Sequence, residues 1–152
     1  MQGSVPNEAD GIISPEGFRV EFLIRGAREL GLDLTSGQVE QFAVYYRELV
    51  QWNQRMNLTA IVDPEEVQIK HFLDSLTATL VLPPSLAQDG RIIDVGSGGG
   101  FPGLPIKLLW PGVSLAMIES VGKKATFLRH IVEALDLRNV EVFNYRAEEL
   151  AH

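Results

Sequence analysis

Apolar residues recur at helical spacing through the first half of the chain and condense into short, branched runs in the second. Phe18, Phe22, Leu23, Ala27 and Leu30 recur at helical spacing. Ser14-Pro15-Glu16 offers that pattern a capping hydroxyl, a proline for the first helical position and an early acid, and Gly31 is placed to stop it. Thr35-Ser36 caps a second helix, with Val39, Phe42, Ala43, Tyr46, Leu49 and Val50 on one face, running to about Gln54. Asp63-Pro64-Glu65-Glu66 repeats the start signal for a third, through Val67 to about Leu80. Pro83-Pro84 then ends the helical region.

The texture changes after those prolines. RIIDVG (residues 91–96) and VSLAMIES (113–120) have the makeup of buried parallel strands, and NVEVFNY (139–145) alternates like a third. Residues 102–110 and 122–135 have helix length between them. Right-handed crossovers place such strands in the spatial order 3-2-1. The expected fold is therefore α/β. Residues 1–13 form a fraying N-terminus and 14–84 a helical N-terminal extension. Residues 85–152 form the first half of a Rossmann-like parallel sheet. The first strand, central in a complete doubly wound sheet, would keep an open edge unless the helical part covers it. A fragment of a longer protein is expected on that ground.

Composition narrows the function. An apolar content of 45% describes a folded domain, and no apolar run approaches the roughly 20 residues that cross a bilayer. The absence of cysteine removes disulfides, thiolate metal sites and a cysteine nucleophile, and fits a reducing cytoplasm. A net charge of −7 argues against indiscriminate binding of nucleic acid, though not against a local basic rim.

The chemistry concentrates in DVGSGGGFPGLPIKL, residues 94–108. Asp94 closes the first strand, so Gly96, Gly98 and Gly100 lie at the crevice outside the carboxyl ends of the strands, where such sheets bind ligands, and all four are expected to bind the cofactor. Glu119 ends the second strand, about 20 residues beyond the middle glycine, at the spacing that lets a carboxylate accept hydrogen bonds from a ribose diol. A nucleoside-bearing ligand follows. GGGFPG matches the dinucleotide fingerprint in form, and an NAD-dependent dehydrogenase domain stays open as an alternative. A pyrophosphate, however, is held by the N–H groups of the next helix, and Pro102 and Pro105 have none. S-adenosyl-L-methionine carries a ribose and no phosphate, and it is the preferred ligand.

Five segments, WNQRMNLTAIVDP (52–64), KHFLDSL (70–76), the glycine segment, IESVGKKATFL (118–128) and NYRAEEL (144–150), occur in this order. Together they resemble the bacterial small-subunit ribosomal RNA methyltransferase G family, also called glucose-inhibited division protein B. The resemblance covers roughly residues 18–150. It implies a class I methyltransferase fold with an N-terminal helical extension, and methyl transfer to N7 of one guanine in 16S rRNA. It further implies that Gly96 and Phe101 contact the donor, with Glu119 near its ribose and Ala147-Glu148 near its adenine; Ser120, next to Glu119, is also expected to bind the cofactor. Family members continue with further strands, so an inactive truncated interaction module is a second alternative.

Guanine N7 carries a lone pair and no proton, so its methylation needs positioning and no general base. His71 and Asp74, three apart on the third helix, are candidates to face the substrate. Their alternative role is a local hydrogen-bonding pair. Lys123 and Lys124 open a helix at the crevice rim, against the sense of its dipole. With Arg129 and Arg146 they are expected to meet RNA phosphates of 16S rRNA or the small ribosomal subunit. No metal site is expected, since no second histidine stands near His71. Trp52, Asn53 and Asn57 are expected to fix the turn after the second helix, and Tyr45 is a candidate for base stacking.

Overall fold

The computed structural model describes residues 19–146. Helices α1 (Glu21–Glu29) and α2 (Ser36–Met56) open it. A composite helix follows over residues 64–80. It comprises α3 (Pro64–Glu66), a π-helical stretch (Val67–Leu73), α4 (Asp74–Thr77) and a 3-10 turn (Ala78–Leu80). A short α5 (Leu86–Asp89) leads into β1 (Arg91–Val95), α6 (Gly103–Leu109), β2 (Ser114–Ile118), α7 (Gly122–Ala134) and β3 (Val140–Phe143). The three strands are parallel in the order β1-β2-β3, with Asp94 opposite Met117 and Met117 opposite Val142.

The local start signals act where expected. Thr35 and Gln38 form a reciprocal capping box at α2, and Asp63 Oδ2 accepts the Glu66 N–H at 3.1 Å. Asn57 ends α2 in the left-handed region, and Asn53 Oδ1 accepts the Thr59 N–H at 2.8 Å, so these asparagines do hold the turn. Trp52 reaches past it to pack on Phe127 and His130 of α7.

Two expectations need correcting. The first helix begins at Glu21, not at Pro15, because Arg19 and Val20 are not helical. Its start is capped from a distance: Gln68, fully buried, accepts the Leu23 N–H at 3.0 Å and donates to the Arg19 carbonyl at 2.6 Å. The signal at residues 14–16 lies outside the described residues. The buried stripe of α2 also includes Tyr45, which is completely buried, whereas Tyr46 is half-buried with its hydroxyl on the Val62 carbonyl. Tyr45 therefore has no exposed face for stacking on RNA.

Among the described residues the packing lies on one side of the sheet. Leu115 and Met117 of β2, with Ile92, Val140 and Val142, meet Leu104, Leu108, Phe127, Leu128 and Ile131 of the crossover helices. The aromatics Phe42, Tyr45 and Phe72 continue this core into the helical extension, with the Phe42 and Phe72 rings 4.9 Å apart. Right-handed crossovers between strands laid down in one direction put both helices on one face. On the other face Ile93 and Val95 are 67% and 57% exposed.

Candidate functional site

The sheet ladder runs one step past β1 and β2. Gly96 N–H donates to the Ile118 carbonyl at 2.8 Å, and Glu119 N–H donates to the Phe143 carbonyl at 2.8 Å. Gly96 and Glu119 therefore stand side by side at the carboxyl end of the sheet, where an open α/β fold binds its ligand. Glu119 is 5% exposed. No described residue donates a hydrogen bond to its carboxylate, and no buried side-chain oxygen among the described residues lacks a partner, so its oxygens border solvent. Asn144, with its amide nitrogen turned inward, donates to the carbonyls of Glu119 and Ser120 at 3.0 and 3.2 Å and fixes this backbone.

The glycines divide into two kinds. Gly96, Gly98 and Gly100 all have positive φ, at 75°, 56° and 102°. A β-carbon on Gly96 or Gly98 would meet nothing within 4 Å, which is the open approach a nucleoside requires. A β-carbon on Gly100 would lie 2.3 Å from the Tyr45 hydroxyl and 2.6 Å from Leu104 Cδ1. Gly100 thus serves the packing of the loop onto α2 and α6.

Asp94 likewise faces inward. It is 8% exposed, and its Oδ2 accepts the Gly103 N–H at 3.0 Å while the Ser97 hydroxyl donates to its carbonyl. Burial pushes its carboxyl above the usual range, opposed by the Gly103 and Ser97 hydrogen bonds and reinforced by Glu119. The residue shapes the loop from behind.

That geometry also accounts for the start of α6. Gly103 N–H is engaged by Asp94, Leu104 N–H by the Gly100 carbonyl at 2.8 Å, and Ile106 N–H by the Pro102 carbonyl at 3.3 Å. Pro102 and Pro105 have no N–H. No free donor is left in the first turn of α6 for a pyrophosphate.

Phe101 is half-buried in a group of rings. It stacks nearly parallel with His71 at 4.3 Å and with Tyr45 at 5.6 Å, and Phe72 lies 6.1 Å away. His71 Nε2 is 2.8 Å from Thr59 Oγ1. Burial lowers the imidazole's pKa against the opposing pull of Asp74, which is itself exposed. The histidine-aspartate segment is thus brought against the residue that follows the glycine loop. No local pattern marks the π-helical stretch that carries His71.

Lys123 is exposed and Lys124 half-buried at the start of α7, and Arg146 is exposed just beyond β3, so all three sit at the carboxyl end of the sheet. Arg129 is exposed farther along α7, away from that rim by about 10 Å at 1.5 Å per residue. Ala147 and Glu148 lie outside the described residues. Among the described residues no three metal-ligating side chains gather, and no helix is long and apolar enough to cross a membrane.

Sequence patterns missed three side chains that organise this region. Tyr45 donates to the Gly99 carbonyl at 2.5 Å. Lys107, 3% exposed, donates to the carbonyls of Pro111 and Val113 beyond the end of α6. His130 meets Glu48 at 2.8 Å and ties α7 to α2. Tyr45 and His130 act between segments that periodicity does not connect, and Lys107 acts on the turn after its own helix.

The family model for rRNA small subunit methyltransferase G (GidB) matches residues 38–152. A ribosomal RNA small subunit methyltransferase G from Roseiflexus sp. (strain RS-1) is 52% identical over 129 residues, 85% of this chain and 54% of the relative. Proteins of the same name from Dehalococcoides mccartyi (strain CBDB1) and Staphylococcus carnosus are 48% and 42% identical, over 85% and 88% of this chain and 54% and 55% of their own length. The chain spans about half the length of the curated relatives it matches. With the glycine loop, the acid beside it and most of the helical extension in the matched span, the chain belongs to the rRNA small subunit methyltransferase G (GidB) family.

Proposed function

We propose that this chain carries the donor-binding part of a cytoplasmic methyltransferase that uses S-adenosyl-L-methionine to methylate N7 of a guanine in 16S rRNA. One observation carries the reading: open glycine backbone at Gly96 and Gly98 beside the carboxylate of Glu119, which has no hydrogen-bond partner among the described residues, next to a helix start whose N–H groups are all engaged. That combination fits a nucleoside without a phosphate. When bound, the donor supplies a methyl group activated by its sulfonium.

The chain's own residues do the rest. Glu119 accepts hydrogen bonds from the ribose hydroxyls, with Ser120 beside it, and Gly96 and Gly98 let the nucleoside reach the backbone. Phe101 forms an apolar wall, held by His71 and Tyr45. His71, stacked on Phe101, and Asp74 position the guanine. Its N7 lone pair needs alignment and no base, and alignment alone contributes several kcal/mol. Lys123, Lys124 and Arg146 receive the RNA phosphates, with Arg129 farther along the same helix as the lysines.

Calorimetric titration with S-adenosylhomocysteine and NAD side by side tests the donor reading. The first should bind and the second should not, and Glu119→Gln should weaken the first by about tenfold, the loss of one hydrogen bond to a charged group. Tight NAD binding would reverse the assignment. Transfer of a labelled methyl to naked 16S rRNA or to small subunits tests whether this half-length chain completes the reaction.

A further inference from the structure

We propose that Tyr45, a residue of the helical extension that touches no ligand, is a positioning residue for the glycine loop. Its hydroxyl donates to the Gly99 carbonyl at 2.5 Å, and its ring stacks on Phe101 at an interplanar angle of 7°. The two contacts grip the loop on both sides of Gly100, the glycine whose absent β-carbon leaves room for that hydroxyl. Leu49, one turn along α2, lies 3.4 Å from the β-carbon position of Gly99 and closes the same surface.

The hydroxyl stays a donor at any working pH. Burial raises the phenol's pKa well above its ordinary value, and the charge of Asp94 raises it further. Asp94 approaches the loop from the other end through Gly103. Gly96 and Gly98, between strand and grip, make no contact at their β-carbon positions. A loop containing four glycines within five positions loses much backbone entropy on ordering. Fastening it at Asp94 and Tyr45 sets that conformation before a ligand arrives, which is how preorganisation raises affinity. The helical extension thereby acts on the donor side of the site as well as on any RNA.

This inference rests on the donor reading of the loop. Its test is Tyr45→Phe, which keeps the ring and its stacking and removes one hydrogen bond. Amide hydrogen exchange on the ligand-free protein should quicken at Gly100 and Phe101, whose N–H groups bond to Ser97, with α2 unchanged. S-adenosylhomocysteine affinity should fall about tenfold, the equivalent of one buried hydrogen bond. Unchanged exchange at the loop refutes the proposal. So does faster exchange with unchanged affinity, which is what a purely structural tyrosine would give. Failure of the wild-type protein to bind S-adenosylhomocysteine would instead remove the donor reading itself, and this inference with it.

Discussion

Replacing each of two glycines of one loop by alanine separates ligand space from packing space. Gly98 has φ 56° and nothing within 4 Å of an added β-carbon, so Gly98→Ala meets only backbone strain, about 1–2 kcal/mol. Gly100 has φ 102°, outside the small left-handed well open to alanine, and strain there is about 1–3 kcal/mol. Its methyl would also sit 2.3 Å from the Tyr45 hydroxyl. Tyr45 is fully buried, so moving it away leaves its hydroxyl and the Gly99 carbonyl unpaired, which costs about 1–3 kcal/mol more. The sum for Gly100→Ala is about 2–6 kcal/mol, a large part of the stability of an ordinary domain. Urea unfolding should place Gly98→Ala about 1–2 kcal/mol below wild type and Gly100→Ala lower still, at about 2–6 kcal/mol below it. Calorimetry should then show Gly98→Ala folded but at least tenfold weaker for S-adenosylhomocysteine, because its methyl occupies the approach. Equal destabilisation by the two substitutions would refute the packing argument. Wild-type affinity in Gly98→Ala would refute the claim that the open space belongs to a ligand.

Three further outcomes follow from the same contacts. Gln38→Ala removes half of the α2 capping box and the bonds from Gln38 Nε2 to the Leu108 and Leu109 carbonyls at 3.0 and 3.2 Å, and should cost about 1–3 kcal/mol in urea unfolding; a loss below a few tenths would show those carbonyls to be satisfied by water. Burial raises the Asp94 carboxyl in the folded protein, so the folded state holds its proton longer than the unfolded one, and stability falls as pH rises from about 3.9 through the folded value. Asp94→Asn cannot titrate there, so its stability relative to wild type should improve across that window, and a difference flat in pH would contradict the assignment. Lys123→Glu with Lys124→Glu should weaken RNA binding and flatten its salt dependence while leaving S-adenosylhomocysteine affinity unchanged; unaltered RNA affinity in filter binding would take these lysines out of the interface.

What the sequence disclosed was what neighbours along the chain decide. The branched runs became β1 to β3 with ends shifted by a residue or two, and the strand order followed from crossover handedness. Thr35 and Asp63 announce their helices because a cap is a bond spanning three residues. Glu119 is legible for the same reason, since a strand end fixes it relative to the glycines. Contacts between distant segments stay hidden. The start of α1 depends on Gln68, 45 positions from the Leu23 it caps. The inward turn of Tyr45 depends on Gly99, 54 positions away. The π-helical stretch that carries His71 leaves no mark in the spacing of the apolar residues. Gly96, Gly98 and Gly100 look alike as letters, and only the neighbour above each separates an opening from a seat for a hydroxyl.

The same loop also shows why a glycine fingerprint does not by itself name a ligand. A dinucleotide site works by offering unpaired N–H groups at a helix start, and the charge of the phosphates is balanced there. Here Asp94, two backbone carbonyls and two prolines have closed that offer. Glu119 adds nothing to the discrimination, because an acid at this spacing accepts from the ribose diol of a dinucleotide just as well. The choice between the two ligand classes therefore lies at the helix start. Pro105→Ala would free a single N–H there while those of Gly103, Leu104 and Ile106 stay engaged, which is too little to hold a pyrophosphate.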